Sequence, residues 1–181
     1  MPTYDASDAD VFIYVQRQTD TLLSSMGHDL KLRVGDFSID VDAAAGEVSA
    51  EFDAASLEPV DAIKWESREE TGELSDGDRH EIGQRIDTEV LDVGKYPTIT
   101  FESTEVEETD DGWRVAGELD LHGELHDVEV EASRDADRLR AETVVDHTEW
   151  GVEPYSAMLG SLKVDPEVAV TVAVPAPEDG T

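Results

Sequence analysis

The chain of 181 residues contains no cysteine, which excludes structural disulfides, thiol catalysis, thiolate metal sites and a lipoprotein anchor. No apolar run reaches the roughly 18 residues that a membrane-spanning helix needs. The first residues, 1–5, lack the basic and apolar regions of a secretory signal peptide. These absences predict a cytoplasmic protein with no stable insertion into a membrane.

Basic residues are also scarce, with 13 lysines and arginines against 45 acidic residues and a net charge of −32. Such a charge repels the phosphates of nucleic acids and anionic lipid surfaces, so neither is an expected partner. Disorder is disfavoured, because 39% of the residues are hydrophobic and recur periodically. The composition therefore indicates a folded, acidic, halophilic protein, and the alternative is an acidic mesophilic protein.

Apolar residues alternate with polar ones in most of the chain, as in half-buried β-strands. Asp110-Asp111-Gly112 is typical of a hairpin turn. Eight or nine such segments, with turns about every ten residues, predict an antiparallel sandwich or barrel. The alternating segments start near residues 11, 30, 37, 48, 99, 113, 128, 139 and 168.

One segment has helical spacing instead. Residues 75–78 offer N-cap side chains, and Ile82, Ile86 and Val90 recur at intervals of four. We predict a short amphipathic helix over residues 78–91, ended by Gly94 and Pro97. No linker divides the chain, which is consistent with one domain over residues 1–181 with a core at about 10–175.

Residues 91–103, which include the run KYPTITF, resemble the central signature of the YceI-like family. Residues 115–123 are similar to the strand and turn that follow in that family, and weaker likenesses occur at 25–30, 150–152 and 164–168. The resemblance covers about residues 10–175. It implies an extended eight-stranded antiparallel lipocalin-like barrel whose long apolar cavity holds a polyisoprenoid chain.

The inward phase of such a barrel would form the ligand-binding wall. Small residues (Ala50, Gly117, Ala132 and Ala141) are interleaved with larger ones, and they could either leave a channel or fit a tapered solid core. The predicted cavity lining is Leu32, Phe37, Ile39, Phe52, Ile99, Phe101, Leu119, Leu121, Val130, Leu139, Val145 and Val170.

A cluster of aromatic and soft side chains lies late in the chain, in a stretch that contains glycine and proline. It could plug one end of the barrel or form a portal for the ligand. With a histidine that precedes a strand, the predicted portal residues are His28, Trp150, Tyr155 and Met158.

Catalytic and metal sites have weaker support. His122 and His126 flank a turn that His28 or His147 could join, but no thiolate supports a metal site. Ser24, His28 and Asp146 could form a triad, yet the chain has no Gly-x-Ser-x-Gly motif. We therefore expect no enzyme, no metal and no cofactor other than a bound isoprenoid or quinone.

The favoured function is the binding or carrying of a long apolar ligand, such as a polyisoprenoid, a quinone or another lipid. One alternative is a structural or stress-related interaction module with a filled core and no ligand. A metal-dependent enzyme based on histidine is the weakest alternative. Whether the protein forms a homodimer stays open.

Overall fold

The chain forms twelve antiparallel β-strands, nine of them from the alternating segments, in the computed structural model, which describes residues 3–17, 28–157 and 162–176. The strands are β1 (Thr3–Tyr4), β2 (Asp10–Arg17), β3 (Asp29–Val34), β4 (Phe37–Asp42), β5 (Glu47–Asp53), β6 (Leu57–Ile63), β7 (Thr98–Glu108), β8 (Trp113–Leu121), β9 (Glu124–Asp135), β10 (Arg138–Asp146), β11 (Ser156–Ala157) and β12 (Leu162–Pro175).

Hydrogen bonds join eleven of the described strands in the order β1-β4-β5-β7-β8-β9-β10-β12-β2-β3-β6, and β11 pairs with β12 alone. The all-β antiparallel architecture was predicted, but the expected number of eight barrel strands was wrong. The strand order begins at β1 and ends at β6, so these two are the edge strands, and the sheet forms a curled half-barrel.

Interruptions in the first part of the chain account for the larger number. Gly35 and Asp36 separate β3 from β4, and a 3₁₀ turn at Ala54–Ser56 separates β5 from β6. The two breaks lie side by side, because the Asp36 N–H donates to Ser56 Oγ at 3.0 Å. β1 and β2 likewise flank successive parts of the bent β3–β4 segment. The alternation had already separated β3 from β4, whereas β1 and β6 lie outside the alternating segments and raise the number of strands.

Side chains on the concave face form the core. One cluster gathers residues of the first strands, including Val11, Leu32 and Phe37. A second cluster surrounds Trp150 and Val152, which are both 1% exposed. A third cluster lies on the outer face, where Tyr14, Ile63 and Ala169 pack with Phe12 and Trp65. Both phases of β2 are therefore covered.

The predicted helix is present with different bounds. The helix α1 (Asp76–Arg85) begins two residues before the expected start and continues as a π-helical turn at Ile86–Val90. Ser75 and Asp78 form a reciprocal capping box that satisfies the first N–H groups. No residue of α1 is fully buried, so its amphipathic character is weak. No helix in the described residues is long and apolar enough to cross a membrane.

The loop that leads into α1 is held by a buried carboxylate. Asp61 on β6 accepts the N–H groups of Gly72 at 2.6 Å, Ala62 at 2.8 Å and Leu74 at 3.2 Å. Burial opposes its ionisation, but these donors and the charge of Arg79 outweigh burial and hold the pKa of Asp61 below its usual value. The helix is thereby fixed against the sheet from its N-terminal side.

Candidate ligand-binding cavity

The concave face of the sheet encloses a cavity of about 880 Å³. At one end, the helix end, Ile82 and Ile86 of the helical segment and Tyr155 line it. At the other, the hairpin end, the lining includes Glu47 and Trp113, next to the β4–β5 and β7–β8 turns. The volume lies within the range of about 300–1,000 Å³ that is usual for pockets that bind small molecules.

Aliphatic and aromatic side chains dominate the wall of this cavity. The structure places eleven of the twelve predicted lining residues there, and their contact with a ligand stays a prediction. The eleven are Leu32, Ile39, Phe52, Ile99, Phe101, Leu119, Leu121, Val130, Leu139, Val145 and Val170.

Phe37 is the exception, because it does not line the cavity. It immediately follows the break at Gly35 and Asp36, where the strand bends. Its ring is 5% exposed and packs against Phe52, with ring centroids 6.2 Å apart. Phe37 therefore packs beside the cavity wall, within the core.

The predicted lining was incomplete, and two strands show why. On β2, Val11, Ile13 and Val15 line the cavity, but Phe12 and Tyr14 between them are also apolar, which hid the inward phase. On β12, Val172 lies on the same phase as the predicted Val170 and could have been found by extending the alternation.

The small residues do not all provide room for a ligand. A Cβ atom on Gly117 would lie 2.5 Å from the ring of Phe101, so that ring already fills the space above the glycine. Ala132 and Ala141 do line the cavity, and they pair directly across β9 and β10. Their short side chains make a shallow stretch of wall between Trp113 and Val172, their partners on the neighbouring strands.

The four predicted portal residues have different positions. His28 and Tyr155 line the helix end. Trp150 is 1% exposed and donates its Nε1–H to the Leu119 carbonyl at 2.9 Å, which makes it a core residue and corrects the portal prediction. Met158 lies outside the described residues.

Polar groups of the helix end form three separate pairs. Arg85 Nη1 donates to the Tyr155 hydroxyl at 2.7 Å. The Arg17 guanidinium pairs with the Asp29 carboxylate at 3.2 Å. His28 Nδ1 lies 3.3 Å from a carboxylate oxygen of Glu73.

Three other histidines have structural contacts. His122 packs against Tyr96 with tilted rings and centroids 4.2 Å apart, and His126 packs edge-on against Trp150 at 5.3 Å. His147 Nδ1 lies 2.8 Å from the Val152 carbonyl oxygen. Across residues 3–17, 28–157 and 162–176, no three histidines and carboxylates are grouped as metal ligands.

The catalytic triad considered from the sequence has no assembled geometry in the described residues. Asp146 caps a 3₁₀ turn by accepting the Thr148 N–H at 3.0 Å. The pKa of Asp146 lies below its usual value, chiefly because the Thr148 hydroxyl donates to its carboxylate and, to a smaller extent, because the Thr148 N–H does so. Ser24 lies outside the described residues.

Comparisons with known proteins agree with this architecture. The family model described as YceI-like domain matches residues 8–176. BcnA from Burkholderia cenocepacia has 16% sequence identity to this chain. Its structure superposes with a TM-score of 0.62, and the match covers 93% of this chain and 96% of that chain. A polyisoprenoid binding domain from Saccharophagus degradans is 14% identical, with 97% of both chains covered and a TM-score of 0.56. No curated protein matches the sequence.

Proposed function

This chain belongs to the YceI-like family, and from that premise we propose that it binds and carries a long apolar ligand inside the curled sheet. The ligand classes are a polyisoprenoid, a prenylated quinone or another lipid with a long chain. The observation that carries the proposal is the apolar cavity of about 880 Å³. One relative of the same fold is described as a polyisoprenoid binding domain.

The chemistry of the wall favours a hydrocarbon tail. A prenyl or alkyl chain has no hydrogen bonds to lose when it leaves water, and each buried CH₂ contributes about 0.8 kcal/mol. A polar substrate would lose its hydration against side chains such as Leu119 and Val130 that cannot replace it. The unfilled volume also favours a carrier over a module with a solid core.

A matched pair of variants on β10 tests the proposal. Ala141→Phe adds a ring to the shallow stretch of the cavity wall, and Val144→Phe adds a larger side chain to the outer face, where Val144 is 60% exposed. We expect Ala141→Phe to weaken binding of a prenylated quinone at least about tenfold, which corresponds to about 1.4 kcal/mol. Val144→Phe should bind as the wild type does.

Mass spectrometry of a solvent extract supplies an independent measurement. Protein purified from its own host should carry a long-chain apolar molecule in about stoichiometric amount. If no lipid is extracted, the wild type binds no quinone and Ala141→Phe gains stability, the carrier function is wrong and the filled-core module replaces it.

A further inference from the structure

Charge is distributed around the cavity in the opposite sense to the rest of the molecule. The sequence has 13 basic and 45 acidic residues, yet four arginines and only two carboxylates line the cavity in the described residues. The two carboxylates, Asp42 and Glu47, are both at the hairpin end. In the described structure the charged side chains that line the helix end are therefore arginines, Arg17 and Arg85.

These two arginines flank one tyrosine. Arg17 pairs with Val164 in the β2–β12 register, and the Val164 N–H donates to the Tyr155 carbonyl at 3.0 Å. Arg85 reaches the same residue from the helix, because its Nη1 donates to the Tyr155 hydroxyl at 2.7 Å. We name Arg17, His28, Arg85 and Tyr155 the cationic rim.

The carboxylates that partner the cationic rim stand behind it. Asp29 pairs with Arg17 at 3.2 Å, and Glu73 lies 3.3 Å from His28. Arg85 pairs with Glu81 at 2.9 Å and with Glu89 at 3.7 Å. None of these four carboxylates lines the cavity. The Nε atom of Arg17 is buried and has no hydrogen-bond partner in the described part of the chain. A guanidinium group has five N–H donors, so a donor remains for a bound group.

We propose that the cationic rim binds the anionic head group, a carboxylate or a phosphate, of a long-chain amphiphile whose tail lies in the cavity. This inference rests on the proposed function and adds the class of the ligand. Guanidinium groups match both anions in geometry and form hydrogen bonds that are stronger than those to neutral acceptors. The apolar wall holds the tail, and the rim fixes the direction in which the tail enters.

The net charge of −32 does not prevent this binding, because it acts over a longer range than the rim contacts. At an ionic strength of about 1 M the Debye length is about 3 Å, so repulsion from distant carboxylates is screened while direct hydrogen bonds persist. Added salt should therefore strengthen the binding of an anionic amphiphile. If the ligand were held only by ion pairs at the surface, added salt would weaken its binding.

Pairs of ligands with equal tails test the inference. Geranylgeranyl phosphate is compared with geranylgeraniol, and palmitate with hexadecanol, by titration of the full chain in about 2 M KCl. We expect the anionic member of at least one pair to bind about tenfold more tightly. The pair that shows the preference identifies the head group as phosphate or carboxylate.

Variants locate the head group. Arg85→Gln and Arg17→Gln should reduce the preference, taken as the ratio of the anionic and neutral affinities of each variant, to about twofold or less. Arg85 is exposed at the surface of the helical segment, so Arg85→Gln reports even if Arg17→Gln, which leaves the buried Asp29 unpaired, fails to fold. Arg33→Gln is the control, because Arg33 does not line the cavity and pairs with Glu58 at a distance of 3.2 Å.

Each outcome separates this inference from the proposed function. Equal affinity for anionic and neutral ligands would overturn the cationic rim and leave the carrier function intact. Loss of the preference in Arg140→Gln, with Arg17→Gln and Arg85→Gln unaffected, would also overturn it, because Arg140 lines the cavity from β10 and is outside the rim. Failure of all four ligands to bind would overturn the carrier function itself.

Discussion

Phe101 and Gly117 illustrate how single residues shape the cavity. They lie on adjacent strands, β7 and β8, where Phe101 pairs with Leu119 and Gly117 pairs with Ser103. The missing side chain of Gly117 admits the ring of Phe101, which lies against the backbone and also lines the cavity. One glycine thus sets how far an aromatic ring projects into the space for the ligand.

Phe101→Ala should act on both stability and binding. A filled core would lose about 3–5 kcal/mol from this substitution. Because one side of the ring faces the cavity, we expect a smaller loss of unfolding free energy together with weaker binding of a prenylated quinone. Urea unfolding and quinone titration at one fixed salt concentration measure the two effects. A full loss of stability with unchanged affinity would show that the ring does not contact the ligand.

Asp61→Asn should show the contribution of the buried carboxylate through pH. The folded-state pKa of Asp61 is lowered, so its stabilisation is complete above the unfolded-state pKa of about 3.9 and disappears as pH falls through the folded-state value. We expect Asp61→Asn to be less stable by about 1–3 kcal/mol near neutral pH and to approach the wild type in acid.

Unfolding free energies across this pH range measure the effect of Asp61→Asn. Asp120→Asn removes the same charge from an exposed position on β8 and serves as the control. A difference between Asp61→Asn and the wild type that persists below the folded-state pKa would contradict the assigned role.

At the scale of elements, α1 differs from the strands in how it is held. The strands are fixed by continuous ladders and by the core, whereas α1 has no buried residue. Gly83 faces Pro59 of β6, and a Cβ atom there would lie 3.7 Å from the proline ring. Helix caps and the loop bound by Asp61 therefore account for much of the stability of this cover over the helix end.

Ser75→Ala should weaken the cover without affecting the sheet. Loss of the N-cap costs about 1 kcal/mol, because the N–H group of Asp78 loses its acceptor. We expect faster amide hydrogen exchange in residues 76–90 and unchanged exchange in β7 and β8. Ser75→Asn, which retains a capping oxygen, should restore the slower exchange. Equal acceleration in the strands would show that α1 and the sheet open as one unit.

At the scale of the whole molecule, the excess of carboxylates dominates. With a net charge of −32, the folded state concentrates repulsion that an expanded chain relieves. The described ion pairs are mostly exposed and contribute little each, as in the contact of Arg114 with Glu131 at 3.2 Å. Screening by salt is then the main factor that reduces the repulsion.

Folding should therefore depend on salt. We expect the β-sheet signal in far-UV circular dichroism to be stable at about 3 M KCl and to weaken, or to melt at a lower temperature, at about 0.1 M. Sucrose at equal osmolality separates charge screening from a general effect of solutes. Full and equally stable signal at both salt concentrations would contradict the halophilic interpretation.

The sequence by itself determined the fold class, the family and most of the cavity wall. Alternation of period two forces successive side chains to opposite faces of a strand, so Leu119, Leu121 and Val130 were assigned inward without coordinates. The KYPTITF run pointed to the family whose domain matches residues 8–176. The capping side chains of α1 were also visible, because their pattern is local.

Only the tertiary structure decided where strands break and which residues meet across the sheet. Phe37 lies on the predicted phase, but the bend beside Ser56, distant in sequence, turns it into the core. Trp150 was assigned to a portal because nothing local shows that its indole N–H reaches the Leu119 carbonyl. Arg17, Arg85 and Tyr155, which are distant in sequence, line the same end of the cavity only because the sheet curls. Alternation specifies a face, whereas curvature and long-range hydrogen bonds specify the neighbours on that face.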